Sequence, residues 1–95
     1  MKNTSKVDGF IDALRHGSAF ARGNAAYVLG KMGKQAVPAL IDTLNSEKVE
    51  VRKCAAYALG RIGDSRAIHA LTHALQDAHQ GVAKWAANAL KAIRE

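Results

Sequence analysis

The stretch Ala25-Ala-Tyr-Val-Leu-Gly-Lys-Met-Gly33 returns 30 residues later as Ala55-Ala-Tyr-Ala-Leu-Gly-Arg-Ile-Gly63. In that register Phe10-Ile-Asp-Ala-Leu14 falls on Leu40-Ile-Asp-Thr-Leu44, and Arg22 falls on Arg52. A third copy follows at an offset of 31, placing Leu71-Thr-His-Ala-Leu75 on Leu40 to Leu44 and Trp85-Ala-Ala-Asn-Ala-Leu90 on Cys54 to Leu59. The extra residue lies in the turn Gly-Asp-Ser-Arg-Ala, against Gly-Lys-Gln-Ala earlier. A period of this length means stacked supersecondary units, each too small to bury its own apolar face.

Apolar residues inside each copy recur at helical spacing, as in Val51, Ala55, Ala58, Leu59 and Ile62, then Ala67, Ile68, Leu71 and Leu75. The chain therefore reads as six amphipathic helices near 5–15, 19–31, 35–45, 48–61, 66–76 and 80–94, with few aromatics and one proline, Pro38. The fold class is an all-α solenoid of helical hairpins, a right-handed superhelical stack. One domain over 1–95 holds units at about 5–31, 35–61 and 66–94. Gly33 and Gly63 follow the last periodic residue of their helices, where a left-handed residue ends a helix at least cost, and they are read as the inner turns of the hairpins. Asp64 or Ser65, and Ser18, Ser46 and Asp77, are the expected N-caps; Ser5 with Asp8 has the spacing of a capping box. The paired alanines Ala25-Ala26, Ala55-Ala56 and Ala86-Ala87 let helices approach closely, and the Leu and Ile columns fill the space between layers.

The pattern Val51-Arg52-x-x-Ala55-Ala56-x-Ala58-Leu59-Gly60-x-Ile62-Gly63-Asp64, continued by Ala67, Leu71 and Leu75, resembles the HEAT-like repeat of phycobilisome lyases, the E-Z type. The resemblance implies a HEAT-like stack. The family's functions range over bilin-attaching lyases, chromophore-detaching factors, iron-dependent hydroxylases and binding scaffolds, so it does not by itself select an activity. Two departures stand out. The arginine early in the first helix is present at Arg22 and Arg52 but replaced by Ala83. The aspartate that opens the preceding turn is present as Asp77, against His16 and Ser46, which leaves a ladder of Asp–Arg links incomplete.

Candidate chemistry is sparse. His69 and His73 stand at i and i+4 on one helix face, but their columns hold Pro38 and Asp8, and Asp42 and Asp12, which marks a solvated face rather than a metal site. Cys54 is the only cysteine and reads as a small buried apolar group. No nucleophile, base and orienting group can be assembled, so the expectation is a non-catalytic protein with no metal and no cofactor. No run approaches the about 18 apolar residues of a membrane span, and Met1 to Gly9 lacks a signal-type apolar run, so the expected setting is cytoplasmic without membrane association.

The net charge is +6. In stacks of this kind the second helices line the concave, binding side. Here that side carries Asp8, Pro38, His69; Ile11, Ile41, Thr72; Asp12, Asp42, His73; and Arg15, Asn45, Gln76. The cations Arg22, Lys31, Lys34, Arg52, Lys53, Arg61, Lys84, Lys91 and Arg94 fall mainly on the first helices and their ends, the outer surface. The concave side is thus unsuited to phosphates but suited to another protein. The expected function is a protein–protein interaction scaffold engaging a peptide or helix through Asp8, Ile11, Asp12, Arg15, Ile41, Asp42, Asn45, His69, Thr72, His73 and Gln76. A bilin-handling, lyase-like subunit and nucleic-acid binding by the basic outer surface are the alternatives. Trp85, where earlier copies have Asn24 and Cys54, is either a terminal cap or a partner anchor. Self-association through the stack ends is open, and the helix at 5–15 with Phe10 is expected to be the least stable element.

Overall fold

A computed structural model describes residues 4–94, with side chains from Lys6 onward. Its six α-helices are α1 (Thr4–His16), α2 (Ala19–Met32), α3 (Val37–Thr43), α4 (Val49–Ile62), α5 (Ile68–Ala74) and α6 (Gln80–Arg94). Single 3₁₀ turns at Gly33–Ala36 and Ser65–Ala67 lead into α3 and α5. The chain is an all-α solenoid of helical hairpins. Helices α2, α4 and α6 lie side by side in one layer, and α4 is the central member.

Among helices consecutive in the chain, the packed pairs are α1 with α2, α3 with α4 and α5 with α6, whereas α2 and α3, and α4 and α5, barely touch. This corrects the expectation that Gly33 and Gly63 close the hairpins. Their turns instead carry the chain from one packed pair to the next, because the 3₁₀ turns redirect the short α3 and α5 onto α4 and α6. Gly63 ends α4 in the left-handed conformation at φ 73°, ψ 23°, its N–H donating to the Leu59 carbonyl. Gly33 departs from that expectation: φ 81° with ψ −145° is a region open almost only to glycine, but it is not the left-handed helical cap.

The caps follow the expected residue types with shifted positions. Ser18 caps α2 by accepting from the Ala21 N–H, and Asp64 accepts from the Arg66 N–H. Ser46 and Asp77 are not N-caps, since α4 and α6 begin later. They accept from the N–H of Lys48 and His79, two residues on, and so shape the turns before those helices. His79 Nδ1 accepts from the Gly81 N–H at the start of α6. The capping box at Ser5 falls on a side chain outside the described ones.

The core is made of small residues between long helices and leucines between layers. Ala25, Ala26, Ala55, Ala56, Ala58, Ala86 and Ala89 are buried, as are Leu14, Leu29, Leu40, Leu59 and Leu71. Each leucine contributes about 1.5–3 kcal/mol on burial. Leu59, on the central helix, is the one whose truncation to Ala should cost most, about 2–5 kcal/mol. A Cβ on Gly60 would lie 3.0 Å from the Cα and Cβ of Ala89, so the missing side chain sets how closely α4 approaches α6. The equivalent residue of α6, Lys91, is exposed. Cys54 is half-buried rather than fully buried, and desolvation raises its thiol pKa above the ordinary value.

Candidate interaction groove

The short helices α3 and α5 touch each other little, while the long helices α4 and α6 behind them pack closely. A groove of about 460 Å³ opens between them. Helix α3 and the turn after it supply Ile41, Leu44, Asn45 and Ser46, and α5 with its following turn supplies His69, Ala70, His73, Ala74, Gln76 and Asp77. Apolar surface from Ile41, Leu44, Ala70 and Ala74 is thereby rimmed by two imidazoles and two carboxamides.

Arg52 of α4 also lines the groove and pins both of its turns. Its Nε and Nη2 donate to the two carboxylate oxygens of Asp77 at 2.8 and 3.0 Å, and its Nη1 donates to the carbonyls of Ser46 and Glu47 at 2.9 and 3.1 Å. The Arg52 and Asp77 side chains are only 17% and 13% exposed. A two-pronged, charge-assisted pair in such a place holds geometry as well as energy. Hydrogen bonding from the Arg52 guanidinium, reinforced by the His79 N–H, holds the Asp77 carboxyl below the usual carboxylate pKa. The groove is consequently preformed.

Only part of the sequence-derived set gathers here. Ile41, Asn45, His69, His73 and Gln76 line the groove. Thr72 is exposed but turns its hydroxyl back to the Ile68 carbonyl at 2.8 Å. Asp8, Ile11, Asp12 and Arg15 sit on α1, beyond the groove, and Asp42 faces them: Arg15 Nη2 lies 3.3 Å from Asp42 Oδ2. Asp12 lies 3.9 Å from His16 Nε2 on the same helix. The Lys48 ammonium donates to the Arg15 carbonyl at 3.0 Å, and Arg66 Nη2 to the Lys34 carbonyl at 3.1 Å, so neighbouring units are cross-linked on both edges.

Sequence reasoning missed Leu44, Ser46, Arg52, Ala70, Ala74 and Asp77 as lining residues. The signal was present in the Asp–Arg columns. The ladder has one carboxylate rung, Arg52–Asp77; Arg22 instead donates to the carbonyls of Leu14 and Gly17 at 3.3 and 3.2 Å. Arg22 and Arg52 therefore do not belong to the outer basic surface, where the sequence had placed them, because the Arg22 guanidinium folds back onto the end of α1 and the turn after it, and that of Arg52 onto the turns before α4 and α6. Trp85 packs edge to face on Tyr57, with ring centroids 5.6 Å apart and planes at 89°, and keeps 38% of its surface exposed.

Among the described residues no cluster of three or more His, Cys, Asp or Glu is arranged to hold a metal ion, and no helix is long and apolar enough to cross a membrane. No buried side-chain nitrogen or oxygen among them lacks a hydrogen-bond partner. A stack of short helical pairs with an open, preformed groove between units is a repeat protein of the α-solenoid class. The chain belongs to the HEAT-repeat family: a family profile described as HEAT repeats matches residues 7–91. No curated protein matches the chain. HEAT repeats commonly serve as protein-interaction scaffolds.

Proposed function

We propose that this chain is a small non-catalytic HEAT-repeat scaffold that binds an extended peptide segment in the groove between α3 and α5. The observation that carries the reading is the groove itself, an apolar strip of Ile41, Leu44, Ala70 and Ala74 bordered by the carboxamides of Asn45 and Gln76. A carboxamide carries a donor and an acceptor together, which matches the N–H and C=O of a peptide unit. Apolar side chains of the ligand would rest on the strip while its backbone meets the rim. Preorganisation by Arg52 and Asp77 lowers the ordering cost of binding. Ala70→Glu places a carboxylate on the apolar strip and tests the reading. Peptides selected against the wild-type chain from a random library should lose at least tenfold in affinity for Ala70→Glu, a change of about 1.4 kcal/mol. Equal binding by the variant would refute it.

A second reading rests on the motif Val51 to Asp64: a phycobilisome-lyase-like subunit that handles a bilin. Mixing the chain with a bilin and its carrier protein, alone and with a longer lyase, tests it directly. Absence of any spectral change or covalent transfer would remove it.

A further inference from the structure

The layer formed by α2, α4 and α6 has a one-sided charge. With Arg22 and Arg52 folded onto their turns, it retains Lys31, Lys53, Arg61, Lys84, Lys91 and Arg94 against a single carboxylate among the described residues of those helices, Glu50. Glu50 is 3.8 Å from Lys53. Lys31 Nζ and Arg61 Cζ converge on the ring of Tyr27, 5.7 and 5.0 Å from its centroid, and neither takes part in the carboxylate pairs of the described residues. Two cations gathered at one ring repel each other, and a nearby anion would relieve that repulsion.

The same layer exposes aromatic surface. Tyr27 is 44% exposed and Trp85 38%, and beside Trp85 a shallow slot of about 190 Å³ runs between α4 and α6. Gly60 and Ala89 form its walls, with Arg61 and Asn88 among its polar lining groups. Cations with few competing carboxylates attract a phosphate backbone, and exposed aromatic rings offer stacking platforms to unpaired bases. A purely acidic peptide such as polyglutamate would satisfy the cations but carries no planar group to stack on the rings, and a duplex keeps its base faces covered. We infer that the α2–α4–α6 layer is a binding surface for single-stranded nucleic acid, with phosphates on Lys31, Arg61 and Lys84 and a base stacked on Trp85. The inference is independent of the peptide groove, which lies between the short helices.

Trp85 is the only tryptophan, so its emission reports contact directly. The whole chain is titrated with an oligothymidylate of about 15 nucleotides, near the upper site size of single-strand binders, and in parallel with a duplex of equal length and with polyglutamate. The expected result is quenching by the single strand alone. Three phosphate contacts predict a log–log salt slope near −2, so affinity should fall roughly 15-fold between about 50 and 200 mM salt. Arg61→Gln with Lys84→Gln should weaken binding and flatten that slope while the helical circular dichroism is kept. Trp85→Phe should retain most of the affinity, and Trp85→Ala should lose it. His73→Ala, in the groove, should change nothing here. Polyglutamate bound as tightly as the oligonucleotide, duplex bound equally, or binding without quenching would each overturn the inference, as would no binding at all.

Discussion

Asp77 does the work of two residues, since one carboxylate accepts from Arg52 twice and from the His79 N–H. Hydrogen bonds to charged groups contribute about 1.5–3 kcal/mol each in net terms, so Asp77→Asn, which keeps one acceptor, should lower stability at pH 7 by about 2 kcal/mol. The folded pKa of Asp77 is depressed, mainly by the Arg52 hydrogen bonds. Its contribution is therefore complete above the unfolded carboxylate value of about 3.9 and is lost as pH falls through the lower folded value. Urea denaturation of wild type and Asp77→Asn at pH 7 and below pH 4 should show the gap between them narrowing on acidification; a gap that stays constant contradicts the assignment. Gly60 offers a second test at this scale. Gly→Ala in a helix gains about 1 kcal/mol in propensity, but here the new Cβ meets the Ala89 backbone at 3.0 Å. Overpacking costs typically 1–3 kcal/mol, so Gly60→Ala should be neutral to destabilising, whereas Gly23→Ala, with open space around it, should stabilise by about 1 kcal/mol. Thermal melts of both variants decide the sign.

Helix α4 is packed by α2 on one flank, α6 on the other and α3 behind, whereas α1 and α5 belong to the terminal layers. Nearest-neighbour stacks lose end layers before the centre. Amides of α1 and α5 should exchange by local opening and those of α4 near the global rate; equal protection throughout would contradict this. Phe10 is half-buried, so Phe10→Ala should cost less than the about 3–5 kcal/mol of a fully buried ring and should loosen α1 while sparing the layers around Leu59 and Leu71. The helices themselves were legible because the Ala-Ala and Leu-Gly elements recur in one register. Which helices pair was not. A glycine after a helix announces a turn but not its ψ, and the 3₁₀ turns that shorten α3 and α5 leave no mark in the apolar period. The groove was legible only through Ile41, Asn45, His69, His73 and Gln76. Ala70 and Ala74 have nothing in their side chains to distinguish a groove from a core, and the place of Arg52 is set by carbonyls of a turn, Ser46 and Glu47, which the apolar period does not mark.

At the scale of the molecule, the chain divides its charge by layer. The short-helix side carries Asp8, Asp12 and Asp42 with Lys6 and Arg15, and the long-helix side is almost wholly basic. Columns fixed by the repeat put residues of one position on one face, so this division could be read from the sequence once the register was known. This division is what the two proposed ligands rest on, a peptide on the short-helix side and a single strand on the long-helix side. Amide chemical-shift mapping of the labelled chain with a library-selected peptide tests the first of these most directly. Shifts are expected to concentrate at Ile41, Asn45, Ala70, His73 and Gln76 and to vanish in Ala70→Glu; shifts concentrated instead on α2 and α6, around Tyr27 and Trp85, would contradict peptide binding in the groove.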